Sequence, residues 1–168
     1  PQRHRSGDSR TKGSTLAVGR AADSSAAAAS AESDGAAAVL PLIAAPSLPA
    51  PGETVVLDIH RGPRADWFTD AALAMLCDQA WRVTPQSSRV GLRLQGAQAL
   101  QRRDATELPS EGLVRGAVQV PHDGRPVLLL ADHPLTGGYP VLAVVAEHHL
   151  DLAGQIPPGA MIRFRLAV

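Results

Sequence analysis

From Glu53 onward the chain is written in short β-prone runs: AWRVT, RVGLRLQG, GAVQV, RPVLLLA, PVLAVVA and MIRFRLA. They are cut by PQSS, ELPSEG, PHDG, HPLTGGY and IPPG. Short apolar runs bounded by Gly, Pro, Asp and Ser predict strands joined by turns. Many short strands in one small domain leave unpaired edges unless the sheet closes on itself. The pattern therefore predicts a mainly β fold, a closed or nearly closed antiparallel barrel. ETVVLDIH alternates as a half-buried strand and adds to the set. WFTDAALAMLCDQA places Ala72, Met75, Leu76 and Gln79 at helical spacing with Thr69 as N-cap, and EHHLDLAGQ suggests a second short helix.

Residues 1 to about 50 have another texture. SSAAAASAES and GAAAV are Ala/Ser low complexity and APSLPAPG is a Pro-rich linker. Such a segment carries little large apolar surface to offset its ordering entropy, so it is expected to be a disordered or linker region ahead of a barrel lobe at 51–168. AVLPLIAA at 38–45 is its one apolar island, and Pro41 limits it to an edge strand or a surface segment.

The 168 residues suit one domain with a proper core. Sixteen basic and sixteen acidic side chains cancel, so no overall field draws nucleic acid or an anionic membrane. A single cysteine, Cys77, excludes an intramolecular disulfide framework and a Cys-based zinc site, and fits a reducing, cytoplasmic setting. The apolar stretches fall short of the roughly 18 to 20 residues of a membrane span.

Familiar catalytic signatures are missing. The sequence has no G-x-S-x-G elbow and no Walker loop, and Cys77 lies in the apolar-periodic helix, where a thiol is inert core. His148 and His149 are adjacent, so on a helix or a strand they diverge, and they read as solvated residues at an element end. His60 and His122 read as structural, and no metal site is expected. Chemistry on a substrate would fall to backbone amides, hydroxyls, carboxylates and arginines.

Three clusters offer those groups. SSRVGLRL sets Arg89, Gly91 and Arg93 at alternate positions of one strand, with Val90, Leu92 and Leu94 opposite. ELPSEGLVRGAVQVP carries Ser110, Glu111 and Gln119. ADHPLTGGYPV, between PVLLL and VLAVV, is longer than a hairpin needs: Asp132 ends a strand, Thr136 supplies a hydroxyl, Gly137 and Gly138 could turn their N–H groups into an anion nest, and Tyr139 could close over it. Each cluster also has a plain structural reading: a solvent face, a turn whose Gln119 satisfies a barrel rim, and a wide turn.

Together SSRVGLRLQG, LPSEGLVRGAVQVPHDGRPVLLLADHPLTGGYPV, the terminal PGAMIRFRL and GPRADWFT upstream resemble the C-terminal half of the biotin-dependent carboxyltransferase family, which includes the C-type 5-oxoprolinase subunits, also called allophanate hydrolase subunit 2, and part of urea carboxylase. The resemblance covers about residues 53 to 168. It implies a cyclophilin-like barrel in a bacterial cytoplasmic protein that pairs with B-type and A-type 5-oxoprolinase subunits. The implied reaction is ATP-dependent opening of 5-oxoproline to glutamate, with carboxyl transfer from carboxybiotin as the relative's alternative and biotin entering only by family relation. A non-enzymatic alternative is regulatory binding to a kinase-inhibitor-like subunit. Asp132 and Thr136 are then the candidate catalytic residues, and Arg89, Gln119, Gly137, Gly138 and Tyr139 the candidate groups around a small-molecule substrate. Ser88 stands where the family commonly has Asn, and Leu135 where it commonly has Thr.

Overall fold

The computed structural model describes residues 47–167. The Ala/Ser-rich segment and the 38–45 island lie outside the described residues.

Nine strands and two short helices follow in order: β1 (Thr54–Arg61), α1 (Asp70–Asp78), β2 (Trp81–Val83), β3 (Gly91–Gln95), β4 (Glu111–Gly112), β5 (Ala117–Gln119), β6 (Val127–Leu129), β7 (Thr136–Gly137), β8 (Val141–Val145), α2 (Leu150–Ala153) and β9 (Met161–Leu166). Single 3₁₀ turns at Ala65–Trp67 and Glu147–His149 precede α1 and α2. Seven of the strands close into a barrel in the order β1-β8-β5-β6-β3-β2-β9, and β4 and β7 form a separate two-stranded ribbon.

The expected barrel is present, with one change. β1 and β9 run parallel, from Thr54↔Met161 to Ile59↔Leu166, whereas the other barrel neighbours are antiparallel. A ring with an odd number of strands cannot alternate direction all the way round. Seven strands force one parallel pair, and it falls where the first and last strands meet.

Strand alternation fills the interior. Val55, Leu57 and Ile59 of β1 and Ile162 and Phe164 of β9 are buried, while Val56, Arg163 and Arg165 between them face out. Trp81 is fully buried and its indole N–H donates to the Leu76 carbonyl at 2.9 Å, so the largest core side chain leaves no polar group unpaired. Helix α1 packs on β9 through Ala72, Leu73 and Leu76. It starts where expected: Thr69 Oγ1 accepts from the Ala72 amide at 3.1 Å. Cys77 is half-buried and its thiol is pushed up by burial, which keeps it protonated near neutral pH.

A second apolar cluster lies apart from the main core. Leu113, Ala117, Leu129 and Val141 are buried together, with Val127 and Val144 packed against them. Ala117 belongs to this cluster while its neighbour Val118 belongs to the main core, so β5 is buried on both faces. This accounts for the unbroken apolar runs PVLLL and VLAVV: strands covered on both sides lose the alternation of a half-exposed sheet.

Candidate functional site

The ribbon explains the length of the 131–141 connection. Rather than turning directly from β6 into β8, the chain lays β7 against β4, pairing Glu111 with Gly137 and Gly112 with Thr136. The Leu113 amide adds a bond to the Leu135 carbonyl at 2.9 Å, and Leu113 is thereby held over the outer cluster. Two of the three sequence clusters thus meet in one small structure.

Gly137 is small because of close approach. A Cβ there would stand 2.9 Å from Leu113 Cδ1 and 3.2 Å from Gln119 Nε2. Neither Gly137 nor Gly138 lies in the left-handed φ region, so the alternating backbone of an anion nest is not formed at this pair: pairing with Glu111 keeps the chain extended instead.

Gln119 is the one buried polar side chain among the described residues, 6% exposed, and its Nε2 donates to the Tyr139 carbonyl at 3.0 Å. The register shift between Val118 and Gln119 against β8 marks a β-bulge at this point. The Tyr139 ring stands half-exposed, edge-on to His122 with centroids 6.0 Å apart.

Arg64 ties the ribbon to the barrel. Gly62 lies flat against β8, where a Cβ would be 2.4 Å from the Val141 carbonyl, and the Arg64 amide bonds that same carbonyl at 3.1 Å. From there the guanidinium grips Glu111 with two bonds, Nε to Oε2 at 3.0 Å and Nη2 to Oε1. The Arg64 hydrogen bond holds the Glu111 carboxyl below its ordinary range, and Glu111 in turn raises Arg64. Sequence reasoning did not single out Arg64, although it belongs to the quoted GPRADWFT.

Arg89 departs from expectation. β3 begins at Gly91, and Ser88 and Gly91 exchange backbone bonds in a tight turn that carries Arg89 and Val90 off the strand. Arg89 is 86% exposed and pairs with Asp132 through Nε–Oδ2 at 3.1 Å. These two therefore come together, Thr136 sits exposed on the ribbon, and Gln119 and Tyr139 are joined by their own bond.

The largest cavity described, about 520 Å³, lies elsewhere on the barrel. Thr84 and Gln86 beyond β2, Arg93 and Gln95 of β3, Arg125 before β6, and Tyr139 line it. Of the seven expected site residues only Tyr139 reaches it. The alternation in GLRLQ, which turns Arg93 and Gln95 outward while Leu92 and Leu94 stay buried, was the signal available in the sequence.

The adjacent histidines do not behave as simple solvated residues. On the 3₁₀ turn before α2 their rings lie 4.2 Å apart and converge on Asp58 of β1, 90 residues away in the chain. His149 Nδ1 accepts from the Asp58 amide at 2.9 Å, His148 Nε2 lies 3.2 Å from Asp58 Oδ2, and Arg165 Nε donates to Asp58 Oδ1 at 2.6 Å. The Arg165 hydrogen bond, reinforced by His148 against the cost of desolvation, holds Asp58 down at about 2. Three potential ligand atoms lie within 4.8 Å. His149 Nδ1 is engaged by the Asp58 amide and Arg165 takes Asp58 Oδ1, so the cluster is a hydrogen-bonded network joining β1, β9 and the 3₁₀ turn. Among the described residues no helix is long and apolar enough to cross a membrane.

The described residues form a mainly β domain, a closed seven-stranded barrel with an outer two-stranded ribbon. The family model described as carboxyltransferase domain, subdomain A and B, matches residues 4–166, and the chain belongs to that family. It is 43% identical over 103 residues to the C-type 5-oxoprolinase subunit of Escherichia coli, a match covering 61% of this chain and 33% of that protein. It is 39% identical over 84 residues to the Haemophilus influenzae protein of the same name, covering 50% and 27%. Among solved structures it is similar to the urea carboxylase of Kluyveromyces lactis, with TM-score 0.66 and 26% identity over 73% of this chain and 12% of that one. The matched stretch thus spans about a third or less of each curated relative.

Proposed function

We propose that this chain supplies the barrel lobe of a C-type 5-oxoprolinase subunit. In this reading it is part of a multi-subunit, ATP-dependent amidohydrolase that opens the lactam of 5-oxoproline to glutamate, in the cytoplasm and with A-type and B-type partner subunits. The observation that carries it is the 43% identity with the Escherichia coli protein.

Opening a lactam builds negative charge on the carbonyl oxygen, and the group that helps most is a fixed donor where that charge develops. Thr136, exposed on β7, offers a hydroxyl, and the Gly138 amide just past the paired strand is a further donor, whereas Gly137 is engaged with Glu111 in the ribbon. Asp132, half-exposed and paired with Arg89, acts as base or orients the loop. Gln119 and Tyr139, joined by their hydrogen bond, position the substrate amide.

The glycine pair, outside the left-handed region, forms no phosphate nest and the sequence has no Walker loop. In this reading ATP is bound at the level of the complex, biotin enters only for the related carboxyl transfer, and no step on this chain is routed through either.

The test mixes this chain with A-type and B-type subunits and follows ATP-dependent glutamate release from 5-oxoproline. Stimulation that falls in Asp132→Ala and Thr136→Ala is the expected result. No stimulation over the partners alone overturns the 5-oxoprolinase reading, and unchanged turnover in both variants overturns only the site assignment. The likeness to the urea carboxylase barrel favours one second reading, a lobe for biotin-dependent carboxyl transfer. It predicts carboxylation of a urea-type acceptor in the same mixture once a carboxybiotin source is added.

A further inference from the structure

The cavity of about 520 Å³ beside β3 has the make-up of a binding site. Its volume falls in the range of small-molecule sites. Two guanidiniums, Arg93 and Arg125, line it, and neither has an ion-pair partner among the described residues, whereas Arg64, Arg89, Arg115 and Arg165 are each matched with a carboxylate. Other exposed arginines are also unpaired, but these two share one cavity. The one carboxylate on the wall, Asp123, turns Oδ1 to the Arg125 backbone amide at 3.1 Å.

Thr84 also lines the cavity, but its Oγ1 is buried away from the cavity space, so its hydroxyl is not among the groups offered to a ligand. Gln86 and Gln95 add amide groups that both donate and accept, and Tyr139 adds an aromatic edge.

We propose that this cavity is the binding site for a small carboxylate that also carries an amide or lactam. Arg93 and Arg125 hold the carboxylate, and the two glutamines read the amide. Paired guanidiniums match a carboxylate better than a neutral group, and the side-chain amides match a lactam's N–H and C=O. The choice of 5-oxoproline as probe rests on the 5-oxoprolinase reading above; the site itself does not.

The experiment is calorimetric titration of the full chain with 5-oxoproline and with 2-pyrrolidinone, which keeps the lactam and lacks the carboxylate. The expected result is binding of 5-oxoproline only, weakened about tenfold or more in Arg93→Gln and in Arg125→Gln. Gln86→Ala and Gln95→Ala should each weaken it by roughly threefold to tenfold, because each removes an amide facing the lactam. No binding of 5-oxoproline, equal binding of both probes, or unchanged binding in the Arg93→Gln, Arg125→Gln double variant each overturns the proposal. So does normal binding in a Gln86→Ala, Gln95→Ala double variant. Binding lost in the variants without any stimulated glutamate release supports this site and sinks the 5-oxoprolinase reading. Stimulated release with binding unmoved by the arginine variants does the reverse.

Discussion

Among the described residues Asp58 ties together more of the chain than any other single carboxylate, and its acid behaviour follows from its partners. Its pKa of about 2 lies below the ordinary 3.8. The ionised form therefore contributes stability that is fully present above about pH 4 and drains away as pH falls toward 2. Asp58→Asn is expected to lower the urea midpoint at pH 7 and to flatten the decline of stability between pH 4 and pH 2; an unchanged acid profile would rule out the network as its source. Gly137→Ala, which sets a methyl 2.9 Å from Leu113 Cδ1, is expected to cost about 1–3 kcal/mol by overpacking, measured as a lower urea midpoint at constant slope. Sequence legibility divides along the same line. Thr69 as N-cap and Leu57 and Ile59 as core could be read locally, because capping and alternation involve near neighbours. The convergence of His148 and His149 on Asp58 could not, since the partner is supplied by a strand 90 residues away. The glycine pair was legible as special but not why, because the reason is a neighbour from elsewhere in the chain, Leu113 and Gln119 at Gly137 and the Leu108 carbonyl at Gly138, rather than the chain's own turn.

The β4–β7 ribbon is held by two residue pairs, the Leu113 bond to Leu135, the Arg64–Glu111 grip and the apolar seat of Leu113. Two-residue strands have too few bonds to persist alone, so the seat and the grip must supply the order. Leu113→Ala is expected to cost about 2 kcal/mol, the low end for a buried leucine, since this cluster is small and close to solvent. Hydrogen exchange should locate the loss: amides at 111–113 and 135–137 exchange faster in Leu113→Ala and in Glu111→Gln, while β1 and β9 keep their protection. Uniform loss across the barrel would mean that the ribbon is not a separate unit. The sequence showed two odd segments, ELPSEG and HPLTGGY, but not that they pair. Pairing of two residues with two leaves no periodicity to detect, and only the doubly apolar PVLLL and VLAVV hinted that something covers the outer face. Arg89 illustrates the converse: alternation extended from β3 back through Ser88 was plausible locally, and a tight turn ended the strand first.

Closure gives the barrel its collective behaviour. The run of strands and turns was enough to expect a closed sheet, but the parallel seam depends on the strand count being odd, which boundaries read from sequence do not fix. At that seam β1 and β9 share six residue pairs, and Ile162 and Phe164 project from it into the same core as Trp81. A strand released from an open sheet leaves the rest of the sheet standing; a strand released from a closed ring creates two edges at once and uncovers the interior. Phe164→Ala is expected to cost about 3–5 kcal/mol, a large share of a typical domain's stability, and Ile162→Val about 0.5–1.5 kcal/mol. The milder variant is the decisive one because it stays folded. In Ile162→Val, unfolding followed by tryptophan fluorescence, which includes buried Trp81, and by far-ultraviolet circular dichroism should shift together to one lower midpoint with unchanged slope. If the seam instead opened as a separate step, the fluorescence and dichroism curves would part. The parallel pair would then be a latch on an otherwise independent sheet, not one wall of a single cooperative ring.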